Sequence, residues 1–419
     1  METKKMTCCR VAARQCQLRT RWLLLALAFG LVLTGCDFKT DEEKEAEEMA
    51  RETALVEGQW TDGNFSKEGQ IKKFTFTVTK GRRYFIWLND SDGGDGTKTA
   101  DVGLKISHSD STVICDSYGT TDRLYTEPYT FLASSTGTVT MTAAAYKDGY
   151  GNGWETGTGT YAIRYTSREE YDTLSEGVWK DDNIIARGQT NKYTFSAVDK
   201  TRYFIYLDDI DAGSGITTKT ADVGLKVSHS NGTIIRSDYG NASGFYSQPY
   251  TFIPSGAGTI TMTIAANKEG YGNGWETGTG TYGIKYTSRA EYDELQAGLW
   301  KDDSIITSGQ TNKYSIHVTA GTVYSIYLND SDGGDGTKTA DVGLKIFYTQ
   351  DSYTDNPIIC DNYGTTDRLY SEPYTFTALS TGTITITTAA YKDGYGNGWE
   401  TGIGTYAIRY VIASSASGD

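Results

Sequence analysis

The stretch KFTFTVTKGRRYFIWLNDSDGGDGTKTADVGLK, residues 73–105, decides the fold class. Its first part has a period of two: Phe74, Phe76 and Val78 alternate with polar residues. Beyond Lys80-Gly81, Tyr84, Ile86 and Leu88 fall on one side of an extended chain, and Phe85 and Trp87 on the other. Alternation of this kind marks a strand with one face in a core. DVGLKIS, TVIC, EPYTF, TVTMTAA and TYAIRY follow, separated by Gly, Asn, Asp and Ser. Thr, Val, Ile and Tyr suit pleated surfaces. Only five prolines occur, and no long apolar helix pattern follows residue 60. Short strands punctuated by glycine turns predict antiparallel, jelly-roll-like β-sandwiches of seven or eight strands each.

The same text is written three times. NDSDGGDGTKTADVGLK at 89–105 recurs letter for letter at 329–345, and a looser copy, DDIDAGSGITTKTADVGLK, stands at 208–226. A second sentence follows each: KDGYGNGWETGTGTYAIRY (147–165), NKEGYGNGWETGTGTYGIKY (267–286) and KDGYGNGWETGIGTYAIRY (392–410). A period of roughly 120 residues exceeds any solenoid unit and suits a domain with its own core. The predicted modules are 57–168, 169–289 and 290–413, with a disordered tail at 414–419. Connectors SREEYDTLSEGVW (167–179) and SRAEYDELQAGLW (288–300) carry Ser167 with Glu170 and Ser288 with Glu291. That capping-box spacing predicts a short helix in each. Trp60, Trp179 and Trp300 mark the entry to the modules and are expected to pack there.

Residues 1–35 stand apart. Arg10, Arg14, Arg19 and Arg21 precede the apolar WLLLALAFGLVL (22–33), too short for a comfortable membrane span. Leu33-Thr34-Gly35-Cys36 follows and resembles the lipobox of bacterial lipoproteins. The resemblance implies cleavage before Cys36, lipid on its sulfur and amine, and attachment to a membrane of the bacterial cell envelope. Which membrane is left open. The other reading is an ordinary signal peptide or anchor with an incidental cysteine. Residues 36–56 form an acidic tether, helical or solvated.

Without residues 1–35, six basic and one acidic, the 39 Lys+Arg fall to 33 and the 53 Asp+Glu to 52, a formal charge of −19. Such a surface repels nucleic acid and suits divalent cations or basic partners. Of the six cysteines only Cys115 and Cys360 lie in the modules, in corresponding places, with Arg236 in the second copy. No module can therefore close an internal disulfide.

The order of features resembles the bacterial pre-peptidase C-terminal domain. The matching pieces are Thr79-Lys80-Gly81 with Tyr84, Ala100-Asp101-Val102 with Leu104, Thr136-Gly137-Thr138 and Gly159-Thr160-Tyr161-Ala162-Ile163. Ala221-Asp222-Val223 with Gly280-Thr281-Tyr282, and Ala340-Asp341-Val342 with Gly404-Thr405-Tyr406, repeat the match. The resemblance implies an accessory β-sandwich rather than a catalytic domain, and its secreted collagenase relatives bind calcium and collagen. No protease accompanies it here.

If successive strands alternate in direction, the three long loops of a module share one end. In the first copy that end collects Asp90, Asp92, Asp95, Asp101, Asp148, Asn152 and Glu155, with Tyr118, Tyr150 and Trp154. The second copy offers Asp209, Asp211, Asp222, Glu269, Asn273 and Glu276, with Tyr239, Tyr271 and Trp275. The third offers Asp330, Asp332, Asp335, Asp341, Asp393, Asn397 and Glu400, with Tyr363, Tyr395 and Trp399. Calcium takes six to eight oxygens, and glycines let carbonyls join the carboxylates. Ca²⁺ is therefore the expected cofactor, beside the lipid on Cys36. Asp, Asn and Gly are also ordinary turn residues, so solvated turns are the competing reading. The aromatics serve either as contacts for a glycan or protein ligand or as packing beneath their own loops.

Histidines number three, and only His108 and His229 correspond between copies; His317 sits elsewhere. No Gly-x-Ser-x-Gly, HExxH or P-loop occurs. No repeated catalytic arrangement is legible. The sequence predicts a non-enzymatic, lipid-anchored protein that binds a host or matrix protein or a glycan through calcium-stabilised loops. A structural spacer without specific ligand, and an accessory subunit of a secreted hydrolase, are the alternatives.

Overall fold

The computed structural model describes residues 51–115, 124–146, 157–211, 218–238, 244–267, 274–349, 358–360, 368–391 and 402–413. They form strands and turns, with no helix among them. The first module runs β1 (Glu52–Ala54), β2 (Thr61–Phe65), β3 (Ile71–Val78), β4 (Arg82–Asn89), β5 (Asp101–His108), β6 (Val113–Cys115), β7 (Tyr129–Leu132), β8 (Gly137–Tyr146) and β9 (Gly159–Glu169). Two sheets result, in the orders β1-β3-β8-β5-β6 and β2-β9-β4-β7.

The second module repeats this with β10 (Tyr171–Thr173), β11 (Lys180–Ile184), β12 (Thr190–Ala197), β13 (Thr201–Asp208), β14 (Asp222–His229), β15 (Ile234–Arg236), β16 (Tyr250–Phe252), β17 (Gly258–Asn267) and β18 (Gly280–Ala290). The third has β19 (Tyr292–Glu294), β20 (Lys301–Ile305), β21 (Thr311–Val318), β22 (Val323–Asn329), β23 (Asp341–Tyr348), β24 (Ile358–Cys360), β25 (Tyr374–Thr377), β26 (Gly382–Tyr391) and β27 (Gly404–Ile412). Strand order is the same in all three. The chain is thus all-β, three tandem β-sandwiches.

Each core lies between its two sheets, and the period-two residues fill it. In the first module Phe74, Phe76, Leu104 and Met141 come from the five-stranded sheet and Tyr84, Ile86, Leu88, Tyr161 and Ile163 from the four-stranded one. The other two modules pack equivalent residues. Among the described residues Cys115 and Cys360 are free thiols, one each in the first and third modules.

Three expectations need correction. The connectors are not helices: β9 runs through Ser167, and residues 171–173 form β10. Ser167 does not cap a helix but bonds Glu57 through both its amide and its hydroxyl, at 2.8 and 2.6 Å. The modules are also not wholly antiparallel. β1, β10 and β19 pair in parallel with β3, β12 and β21. Each module therefore has nine strands, and β1 falls within residues assigned from sequence to the tether. Pairing with a long neighbouring strand outweighs the local capping signal.

Candidate functional site

The anticipated loop end is built as the strand directions require. Asp101 opens β5 opposite Tyr146 at the end of β8, so the loops after β4 and β8 emerge together. The Thr99 and Ala100 amides donate to the Thr160 carbonyl at 3.0 Å, tying the first loop to the start of β9. The Leu88 amide meets the Leu124 carbonyl, which brings the loop before β7 to the same end.

Within the described residues the acidic side chains there close turns. Asp90 is buried, accepting the Asp92 amide at 3.3 Å and the Val102 amide at 3.2 Å. Asn89 accepts the Asp95 amide at 3.0 Å, and Asp95 accepts the Thr97 amide at 2.9 Å. Bonds from the Thr97 hydroxyl and amide hold the Asp95 carboxyl below its ordinary range. Asp330, Asp332 and Asp335 repeat this in the third module, with Asp341 opening β23. In the second, Asp209 accepts the Asp211 and Val223 amides and Asp222 takes the Asn267 side-chain amide at 3.1 Å. Asp211, Asp222 and Asn267 line a cleft of about 370 Å³ with Glu127 and Arg187 at its rim. Among the described residues no three acidic, His or Cys side chains form a metal-holding group.

Trp275 is half-buried, bridged to Asn267, while Glu276 is exposed with φ +67°. Outside the described residues lie Cys36, Asp148, Asn152, Glu155, Glu269, Asn273, Asp393, Asn397 and Glu400. The same holds for Tyr118, Tyr150, Trp154, Tyr239, Tyr271, Tyr363, Tyr395 and Trp399.

Burial makes two of the turn-closing carboxyls reluctant to ionise. Asp209 is pushed up to about 6 and Asp330 to about 7, against the pull of the amides they accept. An unfolded Asp titrates near ~3.9. The folded state therefore holds the extra proton between those values, and stability falls as pH rises through about 6 and 7. We expect Asp209→Asn with Asp330→Asn to flatten the melting temperature between pH 4.5 and 8 relative to the parent. Parallel profiles for variant and parent contradict this.

A second constellation, hidden from the sequence reading, lies on the outer face of the four-stranded sheet. Residues of β4 and β9 that alternate with core residues point there: Trp87 and Arg164. Arg164 lies against two indoles, its Cζ 4.7 Å from the Trp60 centroid and 4.8 Å from that of Trp87. Trp60 stacks on Tyr125 at 5.9 Å. The second module has Lys285 Nζ 4.8 Å from Trp179 and 4.4 Å from Tyr206, with Trp179 stacked on Tyr246 at 5.7 Å. The third has Arg409 4.6 Å from Trp300 and 4.4 Å from Tyr327, with Trp300 on Tyr370 at 5.7 Å. The entry tryptophans do pack, as expected, but outside the core: Trp60 is 38% exposed, Trp179 36% and Trp300 37%.

A third constellation joins the modules. Arg168, on the last strand of the first module, makes a two-pronged bond to Asp182 on β11 at 3.0 and 2.8 Å and reaches Asp172 at 3.0 Å. Behind Asp182, Tyr193 donates to it and pairs with Tyr282; Asn191 donates to Tyr282 at 2.8 Å, and Gln189 to Asn191 at 2.7 Å. Burial alone would lower the Arg168 guanidinium; the bond and charge of Asp182 outweigh it and hold it above its ordinary value. Glu170 is buried between Arg83 of one module and Lys192 of the next, at 3.3 and 2.7 Å. Arg289 enters the third module the same way, 2.9 Å from Asp303 and 2.8 Å from Asp293, backed by Tyr314, Tyr406, Asn312 and Gln310.

This plug and socket are unevenly distributed. The first module has Gly63, Phe74 and Lys72 where the others have Asp, Tyr and Asn. A Cβ on Gly63 would stand 2.3 Å from the Tyr161 ring, and the buried Tyr161 hydroxyl has no partner among the described residues. The third module has Val323, Ser325 and Ala413 where Arg83, Phe85 and Arg168 stand in the first. The junction is thus directional, plug before socket.

No family model matches the chain. No curated protein matches it either. Among solved structures, the pre-peptidase C-terminal domain of collagenase from Bacillus anthracis is 15% identical, spanning 28% of this chain and 95% of its own length with a TM-score of 0.21. The CUB1-EGF-CUB2 domain of human MASP-1/3 is 10% identical over 84% of this chain and 99% of its own, with a TM-score of 0.20. Likeness at this level carries no argument, and the fold rests on the strands themselves.

Proposed function

We propose that this chain is a non-catalytic, lipid-anchored protein of the bacterial cell envelope whose three modules bind a glycan or a matrix protein. The observation that carries the binding half is the exposed aromatic–cation cluster, present in the same place in all three modules. A spacer needs stiff junctions but gains nothing from repeating a partly exposed indole at one place on every module. Exposed aromatic surface in a soluble module marks a contact site. The anchor rests on Leu33-Thr34-Gly35-Cys36, and Cys36→Ala is its direct check: unprocessed precursor supports it, normal maturation opposes it. A glycan and matrix-protein array probed with the soluble chain from residue 37 tests the binding half. Silence at high protein concentration leaves the spacer.

Calcium belongs to the same proposal, held at the loop ends by the carboxylates named above and by loop residues beyond the described ones. A cation bound only by the folded state raises stability by linkage. It would also offset the burial penalty on ionised Asp209 and Asp330. Melting temperature should therefore rise with millimolar Ca²⁺, more at pH 8 than at pH 5, and fall with chelator. A curve indifferent to both leaves the turns closed by hydrogen bonds alone.

A further inference from the structure

We infer that the outer aromatic–cation cluster of each module binds an anionic polysaccharide, its pyranose rings lying on the partly exposed Trp–Tyr pair and its acid groups meeting the cation held against the rings. The inference rests on the binding reading above and names its site and ligand class.

Four observations carry it. The Trp60–Tyr125, Trp179–Tyr246 and Trp300–Tyr370 pairs are near-parallel, at 26°, 17° and 21°, and exposed at the tryptophan. Amphipathic rings of this kind suit a ligand that is apolar on one face and wet at its edge, as a pyranose is. Arg164, Lys285 and Arg409 each lie against two rings, and none has a carboxylate ion-pair partner among the described residues. On a surface whose acidic excess repels polyanions at long range, a cation without a carboxylate partner among the described residues, at one repeated position, gives an outside anion a short-range contact. Lysine replaces arginine in the second module, so the shared property is positive charge on an aliphatic stem, not the guanidinium fork. Finally, one site per module in a tandem array suits a polymer of repeating units, since linked sites multiply weak affinities.

The test uses the soluble chain from residue 37 and four probes: hyaluronate for carboxylate polymers, heparin for sulfate polymers, dextran as neutral glycan, and polyglutamate as acidic peptide. Binding to hyaluronate or heparin, weakening as NaCl rises, and none to dextran, is expected; the two polymers separate carboxylate from sulfate recognition. Trp60→Ala, Trp179→Ala and Trp300→Ala together should reduce affinity about 100-fold or more, each alone about tenfold. Arg164→Gln, Lys285→Gln and Arg409→Gln together should remove the salt dependence while the melting temperature stays near the parent's. Equal binding to polyglutamate would overturn the pyranose assignment and point to an acidic protein partner. Binding on the array that survives the tryptophan variants would overturn this site yet leave the binding function standing. Silence on both array and polymers would end both.

Discussion

Asp182→Ala combined with Asp303→Ala should lower the melting of the second and third modules by about 10 °C each, leaving the first nearly unchanged. Asp182→Ala strips Arg168 of a two-pronged partner and Asp303→Ala strips Arg289 of a single charged bond, and each removes the carboxylate that accepts from the Tyr193 or Tyr314 hydroxyl. Breaking a buried ion pair from one side costs about 3–5 kcal/mol. Here both partners keep some exposure, 19% and 13% for Arg168 and Asp182, and Asp172 still faces the arginine, so about 2 kcal/mol per junction is the better figure. One kcal/mol moves a module of this size by about 4–6 °C. Arg168→Lys in the parent chain should keep only part of the first junction, since lysine cannot span both carboxylate oxygens of Asp182. Calorimetry of the full soluble chain reads all three transitions. Unchanged second and third transitions would show that the junction is surface decoration.

The second large effect is at Gly280. Its φ of +144° is open to glycine but strained for other residues, and a Cβ would stand 2.6 Å from the Ala221 amide nitrogen and 2.8 Å from the Thr220 carbonyl carbon. Both are backbone atoms, so no side chain can step aside. This crossing ties the end of the acidic loop to the start of β18, through Thr220 and Ala221 amides on the Thr281 carbonyl at 3.1 and 3.0 Å. Gly280→Ala should cost about 3 kcal/mol or more and drop the second transition by at least about 12 °C. Gly177→Ala is the control: φ is +75° but nothing lies within 4 Å of its Cβ, so about 1 kcal/mol is expected. Equal losses at the two sites would show that crowding at Gly280 is absent.

What was legible in the sequence follows from how local each signal is. Phe74-Thr75-Phe76 and Tyr84-Phe85-Ile86 announced strands because alternation needs no partner to be read, and glycine-rich loops announced their ends. The grouping of three loops at one end followed from strand direction alone. β10 is not legible because Tyr171-Asp172-Thr173 has no apolar alternation; its parallel pairing with β12 is a tertiary fact. Ser167 and Glu170 looked like a helix cap because that motif is defined by spacing, and spacing cannot show that both residues bind across to other strands. The aromatic face could have been found. Trp87 alternates with core-facing Ile86 and Leu88, and Arg164 with Ile163 and Tyr165, which already places them outside. The junction could have been found by comparing copies: Gly63 against Asp182 and Asp303, Phe74 against Tyr193 and Tyr314. Near-identity of the glycine-rich loops is the stronger signal in the sequence, although what differs between copies marks which module receives a neighbour.

One binding face presented three times by one chain can be counted by titration calorimetry of the soluble chain with a short acidic oligosaccharide. Three equivalent sites per chain are predicted, falling to two, one and none as Trp60, Trp179 and Trp300 are changed to alanine in turn. One site per chain, or heat that persists in the triple variant, would contradict it.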